Sequence, residues 1–249
     1  MTNPIKQNLR IFVDEAGSLD IKPTSDSGGR RVSIVCAVAV RASEEEILLS
    51  LLPRDSDGNL LKSSSRLLSP YQALQFVQAL LNMPSFLSMV LVDIGFDENY
   101  KVLNEVAEIA NRTRGLNHKR NIRPPNLNYE LLASDAIVKV LGSAWERARY
   151  EVESLDVILD SDNLSRFDSN HFRQVLTQNF LKHKLHLQVN WCRNEDQPLL
   201  NAPDIIAGVM HRRLIYGQLK EPANLLLQAG RDGRIVIQDG RTFVPLPPS

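Results

Sequence analysis

Apolar and polar positions alternate along the early part of the chain with the two-residue period of a β-strand. Residues 9–14 alternate in this way and end at an acidic pair followed by Gly17, which predicts a strand that ends there. Residues 32–40 are apolar almost throughout and rich in Val, which is typical of a strand covered on both faces. Residues 87–94 predict a third strand, so these three segments can form a meander.

The later part of the chain alternates between helix-period segments and short apolar runs. The predicted helices cover residues 43–52, 70–83, 98–114, 128–150, 168–182 and 201–216, and the later strands cover residues 156–160 and 186–191. Ser43 and Glu46 have the spacing of a capping box, which indicates a helix start. Ser69 before Pro70 indicates another start, and Gly217 indicates a helix end.

This order of elements predicts an α/β fold with a mixed five-stranded sheet and helices on both faces. We expect a single domain over residues 1–249, because no linker long enough to separate two domains is evident. Residues 218–249 are expected to add a C-terminal helix and a tight hairpin at Asp239-Gly240. The polar residues 53–66 predict a mobile connection.

Composition and charge narrow the class of protein. Apolar residues make up 43% of the 249 residues, which is ordinary for a globular protein. The 29 basic and 29 acidic residues balance, so contact with nucleic acid has to come from local patches. The first ten residues lack the apolar core of a signal peptide, and nine residues is the longest apolar run. Cys36 and Cys192 offer no disulfide framework, so we expect a cytoplasmic protein that does not enter membranes.

Three aspartates lie where strands end or a helix begins. Asp14 ends the first strand, Asp160 ends the fourth, and Asp204 lies in the first turn of the helix after the fifth. If the first and fourth strands are neighbours, two of these carboxylates lie side by side and the helix can add the third. Mg²⁺ and Mn²⁺ bind such oxygen ligands, and two ions about 4 Å apart can drive phosphodiester hydrolysis. The pattern therefore predicts a catalytic metal site.

Each aspartate also has a structural interpretation. Asp14 can cap a turn, Asp160 can form an Asx-turn, and Asp204 can interact with the dipole of its helix. Their joint placement favours the metal site.

Three segments of the sequence, IFVDEAGS (11–18), DVILDSDN (156–163) and PLLNAPDIIAGVMHRR (198–213), contain these aspartates. They resemble the three signature blocks of domain-of-unknown-function family 3800, a largely bacterial family of predicted ribonuclease H-like proteins. The resemblance extends from the first strand to the last long helix. It implies a ribonuclease H-like fold and a nuclease-like site at the three aspartates.

The sequence departs from the family pattern at two positions. The family usually has Ser where this chain has Ala16, and Leu-Ala-Asp where it has Ala202-Pro203-Asp204. Neither change removes a carboxylate, although Pro203 can alter the start of its helix.

The resemblance to ribonuclease H-like nucleases implies a fourth carboxylate on the helix after the third strand. Glu130, near the start of the helix predicted from residue 128, is the candidate, and Asp135 is the alternative. Either residue can instead be an ordinary acid near a helix N-terminus. Glu15 ranks below Asp14 as a ligand, because alternation places it on the opposite face of the strand.

Two residues of the last long helix also have two interpretations. Gly208, with Ala207, would let the helix lie close to the sheet or would simply relieve packing. His211 follows two turns after Asp204 and is expected to be solvated, although it can reach a substrate phosphate.

A basic run between residues 111 and 125 contains no acidic residue. Its candidate phosphate ligands are Arg112, Arg114, Lys119, Arg120 and Arg123. Such a run can hold a nucleic-acid backbone, and it can equally be a solvated loop.

These observations leave three functions open. The leading one is a hydrolase, a Mg²⁺- or Mn²⁺-dependent nuclease with Asp14, Asp160 and Asp204 as metal ligands and Glu130 assisting. The second is a non-catalytic ribonuclease H-like subunit of a bacterial defence or mobile-element assembly with protein partners. The third is a phosphatase acting through Asp160, because residues 160–163 weakly resemble the nucleophile loop of haloacid dehalogenase-like enzymes. The sequence contains no motif of serine hydrolases, P-loop NTPases or Rossmann dehydrogenases.

Overall fold

A mixed β-sheet lies at the centre of the fold in the computed structural model of this chain. The structure describes residues 6–17, 32–83, 87–94, 104–109, 111–112, 124–148, 151–160, 172, 176–177 and 186–239. The strands are β1 (Lys6–Ala16), β2 (Val32–Arg41), β3 (Leu87–Ile94), β4 (Glu151–Asp160), β5 (His186–Cys192) and β6 (Val236–Asp239). Their order across the sheet is β5-β4-β1-β2-β3-β6.

The pairing of the strands confirms the predicted core topology. β1, β2 and β3 form an antiparallel meander, and β4 pairs with β1 in parallel, as does β5 with β4. In the β1–β4 register Val13 lies opposite Leu159. The strands therefore bring Asp14 and Asp160, each the next residue, to the same end of the sheet.

The described residues form a sheet of six strands, so the prediction of five was wrong. The sixth strand, β6, comes from the segment predicted as the first half of a local hairpin, and it pairs in parallel with β3, with Val236 opposite Met89. Asp239-Gly240 is a strong local turn signal, but the open edge of β3 provides a partner that is distant in sequence. The other half of the predicted hairpin, residues 243–244, lies outside the described residues.

Helices follow most of the predicted segments. They are α1 (Glu45–Leu51), α2 (Pro70–Leu81), α3 (Pro124–Ala148), α4 (Asn201–Tyr216) and α5 (Lys220–Arg231), with short 3₁₀ turns at Ala42–Glu44 and Pro198–Leu200. The described residues at 104–109, 111–112, 172 and 176–177 are helical, in agreement with the two remaining predicted helices.

Local capping signals explain where two helices begin or end. The Ser69 side chain accepts a hydrogen bond from the Gln72 backbone N–H at 3.2 Å, and the Gln72 side chain accepts one from Ser69 N–H at 3.1 Å. α4 ends at Gly217, whose φ of +67° closes the helix in the left-handed region. The capping box predicted at Ser43 was wrong, because that residue lies within a 3₁₀ turn and α1 begins at Glu45 without a side-chain cap.

Two apolar cores lie on opposite faces of the sheet. On one face, Leu9, Ile11 and Val13 of β1 pack with buried residues of α3. On the other, Phe12 of β1 packs in a core that also contains residues of α2, α4 and α5. Helices on both faces are therefore confirmed. Among the described helices, none is both long and apolar enough to cross a lipid bilayer.

Candidate carboxylate site

Asp14 and Asp160 lie on the same face and at the same end of the sheet. Successive strand residues point to opposite faces, so Asp14 shares a face with Phe12 and Asp160 shares one with Ile158. Phe12 and Ile158 both belong to the core that contains α4. Asp14 and Asp160 are also both largely buried, with exposed fractions of 6% and 8%. Two neighbouring parallel strands therefore carry two shielded carboxylates toward the side of the sheet that α4 covers.

Asp204 reaches the same region from α4. It lies in the first turn of the helix, as predicted, and the 3₁₀ turn Pro198–Leu200 leads directly into that turn. Pro203 is buried within this first turn and does not prevent the helix from forming. α4 packs across both β1 and β2. The helix thus adds the third predicted carboxylate to the two at the strand ends.

The charges of these acids act on one another. Burial raises the pKa of Asp14 well above its ordinary value, and the negative charges of Glu15, Asp204 and Asp160 raise it further. The Glu15 backbone N–H opposes this shift by donating to Asp14 Oδ1 at 2.8 Å. Glu15, Asp204 and Asp160 are all acidic, so a cation would stabilise the cluster.

Asp204 is held by a residue that sequence reasoning missed. Ser63 donates its backbone N–H to Asp204 Oδ2 at 2.7 Å and its hydroxyl to Oδ1 at 2.6 Å. Burial raises the pKa of Asp204, while the two bonds from Ser63 and the nearby charge of Lys62 lower it, and Asp160 raises it. The net direction is upward, so burial outweighs the hydrogen bonds.

The segment that carries Ser63 was predicted as a mobile polar connection, and this prediction was wrong. Leu61 is buried in the core beneath α4, and Arg54 and Leu60 form an isolated antiparallel bridge. Arg212 of α4 donates to the Ser63 carbonyl oxygen. The apolar pair Leu60-Leu61 inside an otherwise polar stretch is the signal that could have revealed the anchoring.

Gly208 makes room for this segment. A Cβ at Gly208 would lie 2.2 Å from Ser63 Cβ and 2.7 Å from Ser63 Oγ. The glycine therefore admits Ser63, which agrees with the interpretation that it relieves packing and differs from the interpretation that it brings the helix close to the sheet.

His211 packs beside the end of β1 and is half-buried, so it is less exposed to solvent than expected. A Cβ at Gly17 would lie 3.0 Å from His211 Cδ2 and 2.3 Å from the Val32 carbonyl oxygen. Gly17 has a φ of +101°, which also favours glycine. Burial, and then the charge of Arg212, lowers the pKa of His211. The imidazole of His211 thus lies next to the turn that follows Asp14.

The two candidates for a fourth carboxylate lie on α3, which packs on the other face of the sheet. Glu130 is buried, with 7% exposure, and occupies the second turn, because α3 begins at Pro124 instead of residue 128. The argument that it sits at the helix start is therefore wrong. Asp135 forms an ion pair with Lys139 at 2.8 Å. Of the acids outside the predicted trio, Glu15 has the strongest effect on the pKa of Asp14.

Most of the basic run lies outside the described residues, including Arg114, Lys119, Arg120 and Arg123. Arg112 is described: it is exposed and forms an ion pair with Glu108 at 3.4 Å.

The donor atoms at this site are of the type that a hard divalent cation binds. Asp14, Asp160 and Asp204 supply carboxylate oxygens, which Mg²⁺ and Mn²⁺ prefer. Among the residues that the structure describes, no three His, Cys, Asp or Glu side chains are arranged to enclose a metal ion. Both oxygens of Asp204 instead accept hydrogen bonds from Ser63. A carboxylate offers about four lone-pair positions, so these bonds leave acceptor capacity on both oxygens.

Comparisons with known proteins identify structural similarity but no family. No family model matches the sequence, and no curated protein matches it. A solved structure titled as the PCNA:RNase HII complex from Archaeoglobus fulgidus aligns with a TM-score of 0.45 and 16% sequence identity, covering 97% of each chain. The function proposed below therefore rests on the residues of this chain.

Proposed function

We propose that this chain is a divalent-metal-dependent nuclease with a ribonuclease H-like fold and a single domain. The observation that carries the proposal is the shared position of Asp14, Asp160 and Asp204, which lie toward one face of the sheet and influence one another electrostatically. The meander of β1 to β3, with β4 parallel to β1, supports the fold assignment. It also supports the resemblance to the family of predicted ribonuclease H-like proteins.

The three aspartates would hold Mg²⁺ or Mn²⁺. When bound, such ions activate water and neutralise charge at a phosphodiester. Asp14 and Asp160 are fixed by β1 and β4, so their spacing is set by the sheet. Asp204, on α4, is oriented by Ser63, which lies in the connection between α1 and α2. Glu15 is a further candidate for the site because of its effect on Asp14, and Glu130 remains the candidate that the resemblance implies.

Basic groups near the cluster would contact substrate phosphates. Lys62 is exposed, and its charge acts on Asp204. The run from Arg112 to Arg123 is proposed to add further contacts along the nucleic-acid backbone.

Cleavage assays test this proposal directly. Single-stranded DNA, duplex DNA, single-stranded RNA and an RNA–DNA hybrid are incubated with the protein in Mg²⁺ or Mn²⁺, and in EDTA. We expect at least one substrate to be cleaved in metal, and we expect Asp160→Asn to reduce the rate by about 100-fold or more. Even outer-shell partners of metal ligands cost about 10–100-fold when removed.

Asp156→Asn is the matched control for this assay. Asp156 lies on the same strand and face as Asp160, four residues earlier, and interacts with Arg10 at 3.4 Å. We expect this variant to keep the wild-type rate. Equal loss of rate in the two variants, or wild-type cleavage in EDTA, would contradict the proposal.

A second candidate is a non-catalytic subunit that keeps the fold as a scaffold in a larger assembly. The balanced charge favours it, as does the finding that no three potential ligand side chains among the described residues are arranged to enclose a metal ion. A wild-type protein that cleaves none of the four substrates and binds no divalent metal would support this candidate.

A further inference from the structure

We propose that Ser63 is a positioning residue for Asp204 in this reaction. The inference rests on the proposed function, because it assigns Ser63 a role in preparing Asp204 to receive the metal.

Ser63 fixes the Asp204 carboxylate at two points. Its N–H and its hydroxyl reach different oxygens of the same carboxylate, at 2.7 Å and 2.6 Å. Hydrogen bonds to an ionised acceptor are among the stronger ones in proteins. Rotation of the Asp204 side chain would break both bonds, so Ser63 selects one orientation. Because Ser63 is itself buried, with 8% exposure, water competes poorly for these bonds.

One face of α4 holds Ser63 in place. Asp204, Gly208 and Arg212 are spaced four residues apart and therefore lie on one side of the helix. Asp204 accepts from Ser63, Gly208 leaves the space for its side chain, and Arg212 donates to its carbonyl oxygen. Arg212 also donates to the Ser65 carbonyl oxygen at 3.5 Å. Arg212 thus attaches the segment to α4 at Ser63 and at Ser65, immediately after the Ser63–Asp204 contact.

This arrangement resembles the outer shell of a metal site, in which a second residue orients a ligand. Such partners set ligand orientation, and their loss lowers metal affinity or activity by about 10–100-fold. Ser63 contributes no negative charge to the cluster and leaves lone pairs on both Asp204 oxygens. Its role would therefore be to orient the Asp204 carboxylate while leaving both of its oxygens able to bind the metal.

Three variants test the inference. Ser63→Ala removes the hydroxyl bond and keeps the N–H bond. Gly208→Ala displaces the whole segment, since the added Cβ would meet Ser63 Cβ at 2.2 Å. Ser64→Ala, at the exposed neighbouring serine, is the control. The readouts are the Kd for Mn²⁺, measured by electron paramagnetic resonance of the free ion, and kcat and KM on the best of the four substrates.

We expect Ser63→Ala to raise the Kd for Mn²⁺ by about 10–100-fold and to lower kcat at limiting Mn²⁺. Saturating Mn²⁺ should restore kcat, and KM for the nucleic acid should not change. Gly208→Ala should have at least as large an effect, and Ser64→Ala none. A general defect in folding would not be repaired by metal, so this recovery distinguishes positioning from structural support.

Two contrary results are distinguishable. If the wild type binds Mn²⁺ but Ser63→Ala has the same Kd and kcat, the role of Ser63 is refuted and the nuclease proposal stands. If the wild type binds no Mn²⁺ and cleaves nothing, the proposed function is refuted and this inference falls with it.

Discussion

At the scale of single residues, the site combines burial from solvent with repulsion between negatively charged carboxylates. Asp14 and Asp160 are more than nine-tenths buried, yet the neighbouring charges that raise the pKa of Asp14 belong to other acids. Buried carboxylates usually pair with a cation or bind a proton. A metal ion would satisfy the same requirement, which is why the cluster favours a binding site over a purely structural one.

Gly17 connects this cluster to His211, and its substitution tests the tight turn after β1. Gly17→Ala is expected to lower the free energy of unfolding by about 2–3 kcal/mol, because it adds steric overlap with the Val32 carbonyl oxygen to an unfavourable positive φ. Gly58→Ala is the control, since Gly58 also has positive φ (+84°) but a Cβ there would meet nothing within 4 Å.

Gly58→Ala should therefore cost only the backbone strain, about 1–2 kcal/mol. Urea denaturation of both variants measures the difference. Equal losses would show that the contact with Val32 and His211 does not constrain the turn.

At the scale of elements, the sequence predicts the helix and strand boundaries that short-range interactions determine. α2 was predicted because Ser69, Pro70 and Gln72 form its start within four residues. The end of α4 at Gly217 follows from the same kind of signal. The positions of Asp14, Asp160 and Asp204 could also be predicted, because strand ends and a helix start define them.

Contacts that are distant in sequence could not be predicted in the same way. Ser63 and Asp204 are 141 residues apart, and nothing near Ser63 indicates its partner. β6 pairs with the edge of β3, which is distant in sequence and is not indicated by the residues around Asp239. The start of α3 at Pro124 differs, because Pro124 is a local helix-start signal of the same kind as Pro70 in α2 and was overlooked. For Ser63 and β6, tertiary structure outweighs the local pattern.

At the scale of the whole molecule, the sheet separates two environments. One face carries α3 and an apolar core, and the other carries α4, a second core and the three aspartates. Charge crowding on this second face should make metal-free stability depend on pH.

The pH dependence can be isolated with Asp14→Asn in EDTA. A folded-state pKa above the ordinary 3.8 means that the folded protein binds more protons than the unfolded chain, so Asp14 reduces stability as pH rises through that interval. The Asn variant lacks this loss and retains an acceptor for the Glu15 N–H. Its free energy of unfolding should therefore rise relative to wild type from about pH 4 upward and level off above the folded-state pKa.

Denaturant titrations at several pH values measure this difference between the two proteins. The account is contradicted if this difference in free energy of unfolding stays constant with pH. It is also contradicted if the wild type becomes more stable relative to the variant as pH rises. Either result would show that the charge of Asp14 does not destabilise the fold.

Binding of Mn²⁺ to the wild type and to Asp14→Asn tests the central claim most directly. Electron paramagnetic resonance of free Mn²⁺ gives the Kd and the number of ions bound per chain. We predict saturable binding to the wild type and a Kd weaker by about 100-fold or more in Asp14→Asn, because the variant loses a ligand instead of an outer-shell partner. The same Kd in both proteins, or no saturable binding to the wild type, would contradict a metal site at these aspartates.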